Sequence, residues 1–363
     1  MAATMHTAPE SAAGGHVVLA AADSEAFTSL RKQSTSRSDR YRIGRELRRR
    51  VPRSSLGNWS APEDRPDPVQ LIIESHHGRL GWLIPYRVGL MTATPYGFLR
   101  GTAIVMAEDV ARLPATGITP RRRTSDRALP KFTSERAGKR RIAEDPPLIT
   151  GVSDAEAEKL AHGLDDYLGT LAPHWRRTLG GYTLIDIAHK VVGVGSVGLR
   201  AYVALLEGSS PDDVVFLQLK QARRSVLARH VHGESAWHAH QGQRVVEYQQ
   251  ALQTVSDPLL GWASVGGHQY YVRQFRNMKG SVALDSIDGA ALADYAATVG
   301  HLLARGHSRT SGASMIVGYA GSSDRLDTAL ARFARLYADQ TEADHAALVK
   351  AADRGIVPVE RSL

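Results

Sequence analysis

The stretch KVVGVGSVGLRAYVALLEG, residues 190–208, places two apolar, β-favouring runs on either side of a glycine-spaced turn. Its glycines Gly193, Gly195 and Gly198 spell G-x-G-x-x-G, a pattern whose meaning depends on the elements around it. A dinucleotide fold needs a helix after the turn, whereas the run that follows here alternates like a strand. The stretch therefore predicts a strand–turn–strand hairpin. It is either an ordinary turn or a loop whose backbone, including Ser196, approaches phosphates.

Two residues further along the chain favour the phosphate-binding alternative. Lys220 lies in the third β-rich run, FLQLKQA, and Glu247 lies in the helical stretch HQGQRVVEYQQALQT at 240–254. In kinases a strand lysine contacts the α and β phosphates of ATP, and a helix glutamate holds that lysine in place. Each residue alone is more often simply solvent-facing. Together, in this order and on these elements, they favour a kinase-like site for ATP over an ordinary hairpin with solvent-facing residues.

The periodicity of the whole chain predicts an α+β fold. Strands are expected at 184–192, 199–207, 214–222, 259–265 and 268–275. Helices are expected at 153–175, which begins with a Ser153–Glu156 capping box, and at 240–254, 290–305 and 324–350. The expected organisation is a disordered tail at 1–38, a helical segment at 39–113, a basic connector at 114–150, a helix at 151–181, a β lobe at 182–280 and a helical region at 281–363.

Composition excludes some classes of protein and leaves another open. The chain has no cysteine, so disulfides, thiolate metal sites and a cysteine nucleophile are excluded. No long apolar segment occurs, which predicts a cytoplasmic protein without a membrane partner. The net charge of +8 is concentrated in two basic strips, at 31–53 and 121–141. Through Arg48–Arg50 and Arg121–Arg123 these strips could bind nucleic acid or another polyanion, or they could simply be solvated.

The blocks around these motifs resemble those of a bacterial family catalogued as domain of unknown function 2252. The resemblance runs over about residues 44–113 and 140–350, and includes RPDPVQLI, LIPYRVGLMTATPYGFLRGTAIVMAEDVA, FLQLKQARRSVL and YYVRQFRNMKGS. Family members are similar to protein kinases and aminoglycoside phosphotransferases, in permuted order. The resemblance therefore implies a kinase-like fold and ATP-dependent phosphoryl transfer. It also implies that Arg87 and Arg100, in the N-terminal block, line the cleft.

The family pattern also carries G-D-x-H-x-x-N-F-G and D-x-N-D-F-D motifs, which would supply a catalytic Asp and the Mg²⁺ ligands. Neither motif occurs in the 363 residues, and TGITP at 116–120 runs directly into the second basic strip. A block that would hold the general base and the metal ligands is missing. The acids nearest to glycine or serine offer weak replacements: Asp285, Asp288, Asp324 and Asp339. The histidines at 230, 232, 238 and 240 lack a partner at metal-ligand spacing.

Three hypotheses remain open at this point. The first is a kinase-like, nucleotide-binding protein with an incomplete phosphotransfer site. The second is an active phosphotransferase, acting on an unknown small molecule or protein, that takes its metal ligands from other residues or from a partner chain. The third is a polyanion-binding protein that uses the basic strips. The first two predict ATP binding that depends on Lys220, and only the second predicts a Mg²⁺-dependent rate.

Overall fold

The structure is a computed structural model that describes residues 36–103, 105–106, 133–136, 139–228, 239–253, 255–275, 288–309 and 312–360. The chain divides into two compact units, Met1–Trp59 with Ala304–Arg335, and Ser60–Leu303 with Leu336–Leu363. The mixture of helices and antiparallel strands confirms the α+β class. No helix among the described residues is long and apolar enough to cross a membrane.

The larger unit is built around one antiparallel sheet of six strands. In sheet order the strands are β3 (Ile149–Gly151), β4 (Thr183–Lys190), β5 (Ala201–Glu207), β6 (Val214–Gln221), β8 (His268–Gln274) and β7 (Gly261–Val265). A separate hairpin pairs β1 (Thr133–Arg136) with β2 (Lys139–Ile142). The five strands expected from the sequence all form. The structure adds β1, β2 and β3 in a region that was expected to be a connector.

One face of the sheet is covered by helix α5 (Asp154–Thr170), which begins where the capping box predicts. Ser153 Oγ accepts a hydrogen bond from the Glu156 amide at 3.3 Å, which satisfies one of the donors left free at a helix start. Leu160, Leu164 and Tyr167 then pack on the sheet. The Tyr167 hydroxyl donates to the Leu259 carbonyl at 2.6 Å, so this buried hydroxyl has a hydrogen-bond partner.

The strands present alternate residues to the two sides of the sheet. One face packs in the core under α5. It carries Tyr202 and Ala204 of β5 and Leu217 and Leu219 of β6. The opposite face carries a second cluster that includes Val203, Leu205 and Phe216, together with Ile142 of β2. Short helix α6 (Pro173–Leu179) links α5 to β4.

Three short helices precede the sheet, and prolines mark their starts. These are α2 (Pro68–Ser75), α3 (Ile84–Thr92) and α4 (Pro95–Gly101). Each has proline in its first turn, where the missing N–H costs nothing and the fixed φ suits a helix. Asp67 and Thr94 cap α2 and α4 by accepting from the amides of Val69 and Gly97. Pro68, Pro85 and Pro95 therefore each mark the start of a helix.

The remaining helices are α7 (Gln241–Leu252), α8 (Gly289–Ser308), α9 (Ala313–Ala320) and α10 (Arg325–Asp353). The expected helices at 240–254, 290–305 and 324–350 are confirmed by α7, α8 and α10. In the larger unit, Leu348 and Ala351 of α10 pack with α2, α3 and α4 in a third apolar cluster. In the smaller unit, α9 packs along α1 (Arg37–Arg50).

Candidate functional site

The glycine-spaced turn joins β4 to β5 as an antiparallel hairpin, which confirms the strand–turn–strand expectation. Gly193 and Gly198 have φ of +25° and +84°, which side-chain-bearing residues rarely adopt. The amides of Ser196, Val197 and Leu199 donate hydrogen bonds inside the loop. Within the described residues, the amides of Gly193, Gly195 and Gly198 have no acceptor. The loop therefore has three glycine N–H groups that no described residue accepts from, of which Gly193 is exposed and Gly198 is buried.

The loop is fixed in place by the segment between α2 and α4. Arg79 donates to the carbonyls of Val197 and Gly195, and the Leu80 amide donates to the Gly198 carbonyl at 2.7 Å. Val194 packs against the apolar cluster of α2, α3 and α4. Because Arg79 and Leu80 donate to carbonyls of the loop, they hold its backbone in place and leave its glycine amides unbonded.

Lys220 lies in the sheet at the end from which the loop projects. It pairs with Ala201, the first residue of β5 after the loop, and with Tyr271 on the other side. Its neighbour Gln221 donates its amide to the Arg200 carbonyl at 2.8 Å. The structure thus places Lys220 beside the loop, as the sequence pattern predicts.

A second cation, Arg273, shares the sheet face of Lys220. Gln218 and Lys220 alternate onto the same face, and Arg273 lies directly opposite Gln218 in the register. Arg273 Nη2 donates to Gln218 Oε1 at 3.4 Å, while its buried Nε has no partner. Within the described residues neither cation forms an ion pair. The face beside the loop therefore carries two uncompensated positive charges.

Glu247 lies on α7, the helix where the sequence predicts it, but it forms no ion pair with Lys220 in the described part of the chain. Its Oε1 accepts a hydrogen bond from Gln243 Nε2 at 2.8 Å. The charged residue that lies near Lys220 is Arg273, which no sequence motif marks. The alternation in HQYYVRQF places the Arg273 side chain on one face of β8. Only the register between β6 and β8 shows that this is the face of Lys220. The orienting role of Glu247 stays a prediction.

Burial and the nearby charge of Arg273 lower the pKa of Lys220 to about 8. In the unfolded chain the group keeps its ordinary pKa of 10.5, so the unfolded state binds more protons between about pH 8 and 10.5. The cost of the buried ammonium is fully present below pH 8, and stability rises with pH through that window.

We expect Lys220→Met to remove this pH dependence. The variant should be more stable than the wild type. The difference in free energy of unfolding between the two proteins should be largest below pH 8 and should shrink as the pH rises to 10. Urea unfolding at pH 7, 8.5 and 10 measures the difference. Lys159→Met, at an exposed position on α5, is the matched control and should show no such trend. A Lys220→Met difference that stays constant with pH would contradict the assignment.

The two arginines expected to line the cleft lie in different surroundings. Arg87 of α3 is 1% exposed and donates from Nη2 to the Gly101 carbonyl at 2.8 Å. Arg100 is exposed, and its guanidinium lies 5.5 Å from the centre of the Tyr96 ring. The Arg100 carbonyl comes within 3.0 Å of the place where a Cβ on Gly195 would lie. Both belong to the segment that packs on the loop, but only Arg87 is buried.

The residues proposed as replacement metal ligands do not form a cluster in the described chain. No group of three or more His, Asp or Glu residues suited to a metal ion occurs there. Asp288 accepts from the Ala291 amide at 2.7 Å and so caps α8. Asp285 and the histidines at 230, 232 and 238 lie outside the described residues. His240 caps α7, with Nδ1 accepting from the Gln243 amide.

Part of the first basic strip has structural contacts in the smaller unit. Arg48 donates from Nε to the Tyr319 carbonyl at 2.8 Å and from Nη2 to the Gly318 carbonyl, and Arg53 donates to the Ala320 carbonyl. These are the free carbonyls at the end of α9, where a cation is favourable. Arg49 pairs with Glu46 on the surface of α1.

The second basic strip is described only in its last residues. Arg140 pairs with Glu207 at 2.8 Å and Arg141 pairs with Asp186 at 2.9 Å. Arg121–Arg123 lie outside the described residues. Pairing with acids lowers the positive potential that a polyanion would meet, so the polyanion hypothesis depends on the remaining arginines.

Comparison with known proteins gives one significant match. No curated protein and no solved structure shows significant similarity to the chain. A family model described as "Uncharacterized protein conserved in bacteria (DUF2252)" matches residues 79–120 and 119–351. These ranges include the glycine loop, Lys220, Arg273 and Glu247. Since the match spans well over half of its length, the chain belongs to the bacterial DUF2252 family.

Proposed function

We propose that this protein binds the polyphosphate of a nucleotide such as ATP, beneath the glycine loop. The observation that carries the proposal is the pair of cations, Lys220 and Arg273, on one sheet face next to free glycine amides. Protein kinases use the same parts, a glycine-rich hairpin over the phosphates and a lysine on the third strand. Here too Lys220 lies on the third strand counted from the hairpin.

The charge balance of the site supports an anionic ligand. A buried or half-buried cation without a carboxylate partner costs free energy, which a bound polyanion would recover. The lowered pKa of Lys220 reports that cost. Phosphate oxygens can accept hydrogen bonds from the ammonium, the guanidinium and the glycine amides together. Binding should therefore raise the pKa of Lys220 and stabilise the fold.

The proposal concerns binding, and phosphoryl transfer is not part of it. The two family-matched segments meet at residues 119–120, where the block with the catalytic and metal motifs was expected. Transfer needs a general base and acidic ligands for Mg²⁺. The described residues do not offer an acidic cluster that fits the metal.

Thermal-shift titration with ATP tests the proposal, with adenosine as the ligand that lacks phosphates. We expect ATP to raise the Tm of the wild type and of Lys159→Met, and adenosine to have no effect. Lys220→Met should weaken ATP binding about 10- to 100-fold, the range for a lost charge-assisted hydrogen bond. An ATP shift that persists in EDTA, without phosphate release, supports binding alone. No ATP shift in the wild type would refute the proposal, and Mg²⁺-dependent phosphate release would favour an active enzyme.

A further inference from the structure

Arg87 is the largest of the almost completely buried side chains in the described chain. It lies on α3, and one of its hydrogen bonds goes from Nη2 to the Gly101 carbonyl. Its Nε and Nη1 are buried without any partner. A guanidinium has five donors, and proteins rarely bury one without an acid or several acceptors. Arg87 therefore lacks the partner that its burial calls for.

The groups around Arg87 are also cationic or polar donors. His76, at the end of α2, has a buried Nε2 without a partner. Arg79 donates from Nε to the Ser75 carbonyl and from its other nitrogens to carbonyls of the glycine loop. Arg223 donates to the His77 carbonyl at 3.1 Å. Thus Arg79, Arg87 and Arg223 bond only backbone carbonyls, and no acid neutralises them within the described residues.

The protonation states leave this cluster positive at neutral pH. Burial and the charge of Arg79 lower the pKa of Arg87 to about 9, so the guanidinium stays charged at pH 7. Burial, Arg87 and Arg79 lower the pKa of His76 to about 4, so its ring is neutral. Arg79 bonds the carbonyl of Ser75 and Arg223 bonds that of His77, so both guanidinium groups lie at the end of α2 on either side of His76. Arg87 and Arg79 therefore carry net positive charge into the interior beside the loop.

We propose that Arg87, together with Arg79, Arg223 and His76, forms a binding site for a phosphate group on the side of the glycine loop held by α2 and α3. Guanidinium forks match phosphate oxygens in geometry and charge. A bound phosphate would give Arg87 Nε and Nη1 their acceptors and would neutralise the cluster. None of these residues belongs to the strands that carry Lys220 and Arg273. The site is therefore built from other residues than the proposed nucleotide contacts on the sheet.

Arg79 links this site to the glycine loop. Its guanidinium bonds the carbonyls of Gly195 and Val197, and its Cβ lies 3.0 Å from the position that a Cβ on Gly198 would take. A phosphate that draws Arg79 toward itself must compete with these carbonyls. Phosphate binding at Arg87 therefore changes how firmly the loop is held.

Inorganic phosphate is the probe for this site, titrated at constant ionic strength with chloride as the compensating anion. We expect phosphate to raise the Tm of the wild type. Arg87→Met should raise the Tm without phosphate, because it removes a buried charge and keeps the volume. The same variant should weaken phosphate binding about 10- to 100-fold. Lys159→Met, at an exposed position on α5, should keep the wild-type phosphate response. The part of the response that survives Lys220→Met should still be lost in Arg87→Met, which separates this proposal from the nucleotide proposal.

Two results would overturn the assignment, namely no phosphate-specific shift in the wild type or an unchanged phosphate response in Arg87→Met. If Arg87→Met does not fold, NMR titration of His76 in the wild type decides, since a bound anion should raise its pKa from about 4. A pKa that phosphate leaves unchanged counts against the site. ATP titration of Arg87→Met identifies the source of the phosphate. Loss of the ATP response points to a nucleotide's terminal phosphate, and a retained response points to a separate phosphate.

Discussion

Replacing Asp344 by asparagine is expected to lower the free energy of unfolding by about 3–5 kcal/mol, the cost of breaking a buried ion pair. Arg65 holds both carboxylate oxygens of Asp344, with Nη1 to Oδ1 at 2.9 Å and Nη2 to Oδ2 at 2.5 Å. The two side chains are only 10% and 5% exposed. Gln340 Nε2 also donates to Oδ1, at 2.7 Å. The pair ties α10 to the segment that leads into α2, within the larger unit.

Asparagine keeps the shape of Asp344 but removes the carboxylate charge that both terminal nitrogens of the buried Arg65 guanidinium contact. Urea unfolding measures the loss, and Glu342→Gln is the matched control, since it removes an exposed acid from the same helix at little cost. The double variant Arg65→Met, Asp344→Leu should recover most of the lost stability, because it removes both charges together. A loss below about 1 kcal/mol in Asp344→Asn, the size typical of a surface pair, would contradict this account.

Alanine at Gly44 is expected to destabilise the smaller unit by about 2–3 kcal/mol, toward the upper end of overpacking effects. Helices α1 and α9 touch through their backbones at this point. A Cβ on Gly44 would lie 2.0 Å from the Met315 carbonyl oxygen, and one on Gly318 would lie 2.2 Å from the Tyr41 carbonyl oxygen. These neighbours are backbone atoms in helices, so they cannot move aside without separating the two helices.

The same substitution at Gly300 should have the opposite sign. Gly300 lies in α8 with nothing within 4 Å of an added Cβ, so alanine there should stabilise by about 0.5–1 kcal/mol through helix propensity. Urea unfolding compares the two variants, and hydrogen exchange of the α9 amides shows whether α9 has detached from α1. If Gly44→Ala is as stable as the wild type, the close packing of the two helices is refuted.

The elements that the sequence predicts well are those with a strong local pattern. The capping box at Ser153 sets the start of α5, and the apolar stripes of α8 and α10 set their lengths, because hydrogen bonds and burial there follow a period of 3.6 residues. The β4–β5 hairpin follows from glycine spacing between two β-favouring runs. The short strands β1, β2 and β3 carry no comparable pattern, since they are three or four residues long and gain their stability from pairing partners.

The candidate site also has some residues that the sequence predicts and others that only the tertiary structure reveals. Sequence order alone determined the glycine loop and the position of Lys220 on the third strand, because both depend on neighbouring residues and on alternation along a strand. Only the tertiary structure decided that Arg273 shares the face of Lys220 and that Arg87 is buried without a partner. The register between β6 and β8, and the packing of α2 and α3 on the loop, join residues far apart in the chain. Such contacts are set by the burial of whole faces, which no local stretch of sequence encodes.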